Sequence, residues 1–121
     1  MARFRLARRA QADILNILTE SATRWGIEAR RRYEAVLSSA MHNVAANPEG
    51  SMTRSRANIG PELRSYHLRH ARQEASGRRV RRPVHVLYYR VVAPGLVEIV
   101  RVLHERMEPS AHLTASSGDE T

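Results

Sequence analysis

The sequence predicts an α+β fold in which a helical hairpin covers one face of a small, mostly antiparallel sheet. Three observations carry that reading. Residues 84–92 and 97–103 are rich in β-branched and aromatic side chains, contain neither Gly nor Pro, and flank Ala93-Pro94-Gly95. This is the pattern of two strands joined by a tight turn. Between residues 8 and 46, apolar positions recur instead at helical spacing, interrupted once at Gly26. On the second strand of the hairpin, Val97, Ile99 and Leu103 share one side, and Val100 and Val102 share the other. A strand apolar on both faces is central and needs cover.

The elements follow in order. Phe4-Arg5-Leu6 is a short strand that belongs at an edge of the sheet. From about Arg8, residues Ile14, Leu15, Leu18, Ala22 and Trp25 form a helical stripe, with Asp13, Asn16, Glu20 and Arg24 mostly facing away. Gly26 ends this helix. A second helix carries Ala29, Tyr33, Val36, Leu37, Ala40, Met41 and Val44, and stops before Asn47-Pro48-Glu49-Gly50. So short a link makes the helices antiparallel neighbours, and Trp25 and Tyr33 read as packing residues. Residues 51–60 read as a loop. Residues 62–68 alternate as a strand, and 69–82 form a flexible polar excursion ending in Arg78-Arg79-Val-Arg81-Arg82. Residues 1–113 make one domain, and 114–121 a disordered polar tail.

Composition narrows the function classes. No stretch approaches the roughly 20 apolar residues of a membrane span, no secretory signal follows the basic N-terminus, and cysteine is absent. A cytoplasmic protein is expected. All 20 basic residues are Arg, and the net charge is +8. Residues 54–90 hold ten of these Arg against Glu62 and Glu74, so the middle third carries the excess. That implies an anionic partner, either nucleic acid or an acidic protein segment.

Conventional catalytic patterns are missing. No Ser occupies a nucleophile elbow and no glycine-rich phosphate loop occurs. His67 and His70, three apart on an extended segment, point to opposite faces. His85 and His104 approach across the hairpin without an acidic or thiol ligand to complete a metal site. No cofactor or metal is expected. Glu98 is expected to pair with an Arg on a neighbouring strand. Arg64, Arg90, Arg101, His67 and His104 contain the residue types of a metal-independent ribonuclease, cations for the transition state and imidazoles for protons.

One surface is legible from the residues alone. His104-Glu-Arg106-Met107-Glu108-Pro109 follows directly on the central strand, which fixes its position, while Pro109 prevents the strand from continuing. Arg106 offers a permanently charged planar fork, and Met107 an adaptable apolar contact. The alternative is that Met107 folds back over the core and Arg106 pairs with Glu105 or Glu108.

Six segments in order resemble the ParE toxins of bacterial toxin–antitoxin modules, within the wider RelE/ParE superfamily. They are Leu6-Ala-Arg-Arg-Ala10-Gln-Ala-Asp13-Ile14 at the opening of helix one and Gly26-Ile-Glu-Ala29-Arg-Arg-Arg-Tyr33 at that of helix two. Asn47-Pro48 follows as its terminator, then Gly60-Pro-Glu-Leu63-Arg64-Ser-Tyr66 and Arg82-Pro-Val-His85-Val-Leu-Tyr-Tyr89-Arg90-Val91. The last is Glu98-Ile99-Val-Arg-Val-Leu103-His104-Glu-Arg106-Met107-Glu108 with His112-Leu113. Two departures stand out. Ala7 replaces the Ser that often caps helix one, a loss of about 1 kcal/mol, and the 69–81 excursion is longer than in compact members.

The resemblance implies a RelE/ParE-like fold and a toxin that inhibits DNA gyrase by binding, with no catalytic residues. A small acidic ParD-like antitoxin, itself carrying the DNA-binding region, would neutralise it, so this chain needs no sequence-specific DNA contact of its own. RelE-type relatives instead cleave mRNA on the ribosome, and the lack of Lys and of any Tyr after Tyr89 argues against that chemistry here. A third reading is an inactive homologue that only binds antitoxin. The target-binding set is taken as His104, Arg106, Met107, Arg64, Arg90 and Arg101. The antitoxin-binding set is Arg78, Arg79, Arg81, Arg82, His85 and Leu113.

Overall fold

The computed structural model describes residues 2–71 and 82–113. The chain runs β1 (Arg3–Leu6), α1 (Arg8–Trp25), α2 (Ile27–Ala46), β2 (Thr53–Ser55), β3 (Arg64–His67), one 3-10 turn (Leu68–His70), β4 (His85–Ala93), β5 (Leu96–His104) and α3 (Pro109–Leu113). The strands form a single sheet in the order β1-β5-β4-β3-β2, parallel between β1 and β5 and antiparallel elsewhere. The α+β class and the hairpin-on-sheet layering agree with the sequence. The hairpin strands occupy the middle, where both faces can be covered.

Local chemistry sets the element ends. Gly26 alone joins α1 to α2 at φ 95° and ψ 172°, a region open essentially to glycine, and its N–H closes α1 on the Ala22 carbonyl. Ala7 is the N-cap of α1 and makes no side-chain cap bond, as the missing Ser implies. At the β4–β5 turn Pro94 presets its own φ and Gly95 takes φ 73°. Pro109 opens α3, where a missing N–H costs nothing. Pro109 therefore begins the short helix, while the strand has already ended at His104.

Two cores flank the sheet. On the helix side, Tyr33, Val36, Leu37, Ala40 and Val44 of α2 pack on Leu87, Tyr89, Val97, Ile99 and Val102, with Phe4, Leu6 and Ile14 at the margin. On the far side a smaller cluster joins Leu63, Val86, Tyr88, Val100, Leu103 and Leu113, with Ile59 against it. The simple alternation expected for β5 fails here, because the register shifts between Tyr88 and Tyr89 and so puts Val102 with Val97 and Ile99, and Leu103 with Val100. Among the described residues, α3 and the loop around Ile59 cover part of the far face.

Several expectations need correction. The 51–60 segment contains β2, a three-residue edge strand pairing Thr53 with Tyr66 and Ser55 with Arg64. Its polar sequence has no strand signature because its pairing rests on backbone groups and it buries no apolar side chain. Trp25 is 71% exposed and Leu15 59% exposed, so neither packs in this chain, whereas Tyr33 does. Trp25 is the last residue of α1, at the tip of the helical hairpin. Asp13 does not face away from the sheet: its carboxylate reaches β5. Residues 72–81, including the basic cluster up to Arg81, and the tail 114–121 lie outside the described residues.

Candidate functional site

The turn after β5 is held by its backbone and presents its side chains outward. The Glu105 N–H bonds the Val84 carbonyl at 2.7 Å, and the Met107 N–H bonds the His104 carbonyl at 2.9 Å. The Arg106 N–H donates to His104 Nδ1 at 3.1 Å. Glu105 Oε1 accepts from His67 Nε2 at 2.7 Å, tying the turn to the end of β3. Arg106 and Glu108 remain exposed, and Met107 is 45% exposed. Neither Glu105 nor Glu108 pairs with Arg106, since Glu108 Oε2 accepts instead from the Ser110 hydroxyl at the start of α3. Of the two arrangements that the sequence allowed, the structure has the one with both side chains free.

Behind the turn, hydrogen bonds fix the state of two imidazoles. The Nδ1 atoms of His104 and His67 accept backbone N–H groups, from Arg106 and Arg69, so both rings carry their proton on Nε2 when neutral. Tyr33 Oη accepts the Val84 N–H at 3.2 Å and shares a hydrogen bond with His85 Nδ1 at 2.6 Å. The His85 and His104 rings meet edge to face at 5.5 Å, as the hairpin register demands.

The electrostatics follow from this geometry. Burial first, and the neighbouring His104 second, depress the His85 pKa to about 4. Burial also pushes the Tyr33 hydroxyl up to about 12. The hydrogen bond from His67 holds the Glu105 carboxyl below its usual range. The half-buried His85 is thus neutral at pH 7 and is bonded inward to Tyr33.

Two predicted target-binding arginines are tied down elsewhere. The Arg101 guanidinium meets Asp13 in a fork, Nε to Oδ2 at 2.8 Å and Nη2 to Oδ1 at 3.0 Å, and Nη1 donates to the His112 carbonyl. Asp13 Oδ2 also accepts the Val102 N–H at 2.9 Å. There β1 has ended and the edge of β5 would otherwise be open. Asp13 stands in for the absent strand partner, and Arg101 balances its charge. Arg64 is similarly engaged, with Nε on the Pro48 carbonyl at 3.1 Å and Nη2 on Thr53 Oγ1 at 2.7 Å. The same carbonyl accepts the buried Tyr89 hydroxyl at 2.5 Å. This pair anchors the end of α2 to the sheet.

Arg90 contrasts with both. It sits opposite Glu98 in the hairpin register on the face away from the helices, but Glu98 Oε2 accepts from Arg5 Nε at 3.2 Å. The expected strand-to-strand pair of Glu98 is thus present, with Arg5. Arg90 Nε is a buried N–H without a hydrogen-bond partner, a state that costs about 1–3 kcal/mol in general.

The sequence-derived sets are therefore divided. His104, Arg106 and Met107 come together at the turn; Arg64 and Arg101 are structural; Arg90 lies at the far end of the hairpin. Five strand residues separate it from His85, or about 17 Å at 3.4 Å each. Of the antitoxin set, Arg82 is exposed at the entry to β4, His85 is bonded to Tyr33, and Leu113 is 5% exposed within the far-side cluster, so it offers no surface in this chain. Arg78, Arg79 and Arg81 lie outside the described residues. Asp13, Tyr33 and Glu105 were missed, because their partners stand 88, 52 and 38 positions away. A polar residue on an otherwise apolar helix face was the available signal for Asp13. Among the described residues no group of three or more His, Cys, Asp or Glu could hold a metal ion, and no helix is long and apolar enough to cross a membrane.

Residues 4–109 match the family model described as the ParE toxin of type II toxin–antitoxin systems, parDE. A protein named Toxin ParE1 from Caulobacter vibrioides is 35% identical over 113 residues, covering 93% of this chain and 99% of that protein. A Toxin ParE1 from Mycobacterium tuberculosis is 31% identical over 112 residues, covering 93% and 98%.

Proposed function

Since the chain belongs to the ParE toxin family of type II toxin–antitoxin systems, we propose that it arrests growth by binding and inhibiting DNA gyrase without catalysing a reaction, and that a small acidic antitoxin neutralises it. The observation that carries the reading is the turn at 105–108. Its backbone is pinned by β4 and His104, and its Glu105 carboxylate by His67, while Arg106 and Met107 are exposed. A preorganised turn bearing one guanidinium and one flexible apolar side chain suits recognition of a protein surface. Arg82 lies beside it and, with Arg78, Arg79 and Arg81, supplies the positive charge that an acidic antitoxin segment would cover. A gyrase target places the protein in the cytoplasm.

The arrangement gives less support to RNA cleavage. Such chemistry needs cations and a proton-transfer group around one phosphate. Here Arg64 is spent on Pro48, Arg101 on Asp13 and His67 on Glu105, and Arg90 is far from His104.

Induced expression with and without the neighbouring antitoxin gene, followed by a supercoiling assay with purified gyrase, tests the proposal. Expected are growth arrest, its reversal by the antitoxin, and loss of supercoiling activity. Codon-phased mRNA cuts with normal gyrase activity would move the protein to the ribonuclease reading. No arrest at normal abundance would leave an inactive homologue that only binds antitoxin.

A further inference from the structure

The structure assigns His104 the role of a proton-sensitive lock: as a neutral ring it holds the 105–108 turn in place, and its protonation releases the turn at Arg106. Strands β3 and β5 both end on a histidine whose Nδ1 accepts the N–H two residues further on, from Arg69 at 3.0 Å and from Arg106 at 3.1 Å. The pattern is that of an Asx turn, with an imidazole nitrogen in place of the amide oxygen. A neutral imidazole has one acceptor nitrogen, and in His104 that nitrogen is the one in use. A proton taken up by the ring must land on Nδ1, where it turns the acceptor into a donor facing the Arg106 N–H. Asn at this position would cap the turn without that sensitivity.

The groups around His104 keep the release local. On β4 it meets His85 edge to face, and His67, at the end of β3, donates through Nε2 to Glu105 at 2.7 Å. Arg82, ahead of β4, acts on the same carboxylate. From the helices, Tyr33 of α2 is bonded to His85, and Asp13 of α1 acts on His85 at longer range. Arg82, Arg106 and a protonated His67 oppose a charge on His104, while Glu105 and Asp13 favour it. Ordinary imidazoles charge between about pH 5 and 8. The His85 pKa lies at about 4, so that ring stays neutral in this range. The Glu105 carboxyl, held below its usual range by His67, stays ionised and keeps the turn tethered at its first residue. A proton on His67 disturbs its own cap at Arg69 and leaves the Nε2–H on Glu105 in place. Acid therefore frees Arg106 without detaching Glu105 from β3.

The effect on the target rests on the turn being the surface through which the protein acts; the lock itself does not. NMR of the full chain between about pH 7.5 and about pH 5.5 tests the lock, reading the His104 ring nitrogens and the exchange protection of the Arg106 amide. The Leu87 amide, in the central strand, reports global opening. At the upper pH Nδ1 should be unprotonated. As it gains its proton, Arg106 protection should fall at least about fivefold, the worth of a side-chain cap, while Leu87 protection holds. His104→Asn should show no such fall. Nδ1 protonated at the upper pH, or Arg106 protection that persists once Nδ1 is charged, overturns the proposal. So does an equal fall in folded His104→Asn, and the wild-type resonances decide the matter even if that variant fails to fold. Gyrase inhibition should weaken toward the lower pH more in the wild type than in His104→Asn. A working lock with the same pH dependence of inhibition in both would support the lock and remove the turn as the target surface.

Discussion

Where β4 begins, His85 is bonded by Tyr33, His104 by the Arg106 backbone and His67 by Glu105; five residues along the same strand, Arg90 has a buried N–H with nothing to bond. The first region spends its polar groups on internal order, and so holds the 105–108 turn in place. The second leaves a donor unsatisfied. Arg64 and Arg101 belong with the first region, because their forks close on Pro48, Thr53 and Asp13. Arg106 belongs with the second. An arginine in this protein is therefore structural or available according to whether the fold supplies an acceptor, and the residue type alone does not reveal which.

The largest effect that would break this division is expected at Asp13. Asp13→Ala removes the acceptor for both the Arg101 fork and the Val102 N–H, leaving a mostly buried charge unpaired. A loss on the order of 3 kcal/mol is expected in urea denaturation. A loss below about 1 kcal/mol would show that Arg101 is not committed and return it to the target-binding set.

Acid should act next, and on the histidine end. The folded pKa of His85 is depressed to about 4, below the usual 6.5. Above pH 6.5 the ring is neutral in both states, and this group makes no difference. As pH falls from 6.5 through 4 the unfolded chain takes up the proton first, and stability declines by roughly 2–3 kcal/mol from this group. Urea midpoints of the wild type and His85→Gln over that range check it, since the variant should show a shallower decline. Parallel pH profiles would mean that the Tyr33–His85 pair is not closed in solution.

The smallest change in stability is expected at the open end. Arg90→Met keeps the apolar stem and removes a donor that had no acceptor, so the midpoint should move by no more than about 0.5 kcal/mol, or rise. A loss above about 2 kcal/mol would mean that Arg90 has an internal partner after all.

The same contrast explains what the sequence disclosed. Periodicity exposed the helical hairpin, the central strands and the breakers at Gly26, Asn47-Pro48 and Pro94-Gly95, because each depends on neighbours a few residues apart. It missed β2, whose pairing rests on backbone groups and which buries no apolar side chain. It misjudged Leu15 and Trp25, since an apolar residue at helical spacing is buried only if something lies over it. The roles of Arg64, Arg90 and Arg101 were not legible at all. Those depend on whether Pro48, Asp13 or nothing stands opposite in space, which no local pattern records. The strand ending fixed where Arg106 and Met107 stand in the chain, but it left open whether they fold back or face solvent, which the turn's hydrogen bonds decide.

The division is tested most directly by growth arrest in the Arg106→Glu protein, measured alongside its abundance and urea midpoint. An exposed arginine without an acceptor contributes well under about 1 kcal/mol to folding, so the variant should accumulate normally and unfold at nearly the wild-type midpoint. It should also fail to arrest growth or to inhibit gyrase. Full toxicity at normal abundance would contradict the account and remove the 105–108 turn as the surface through which the protein acts.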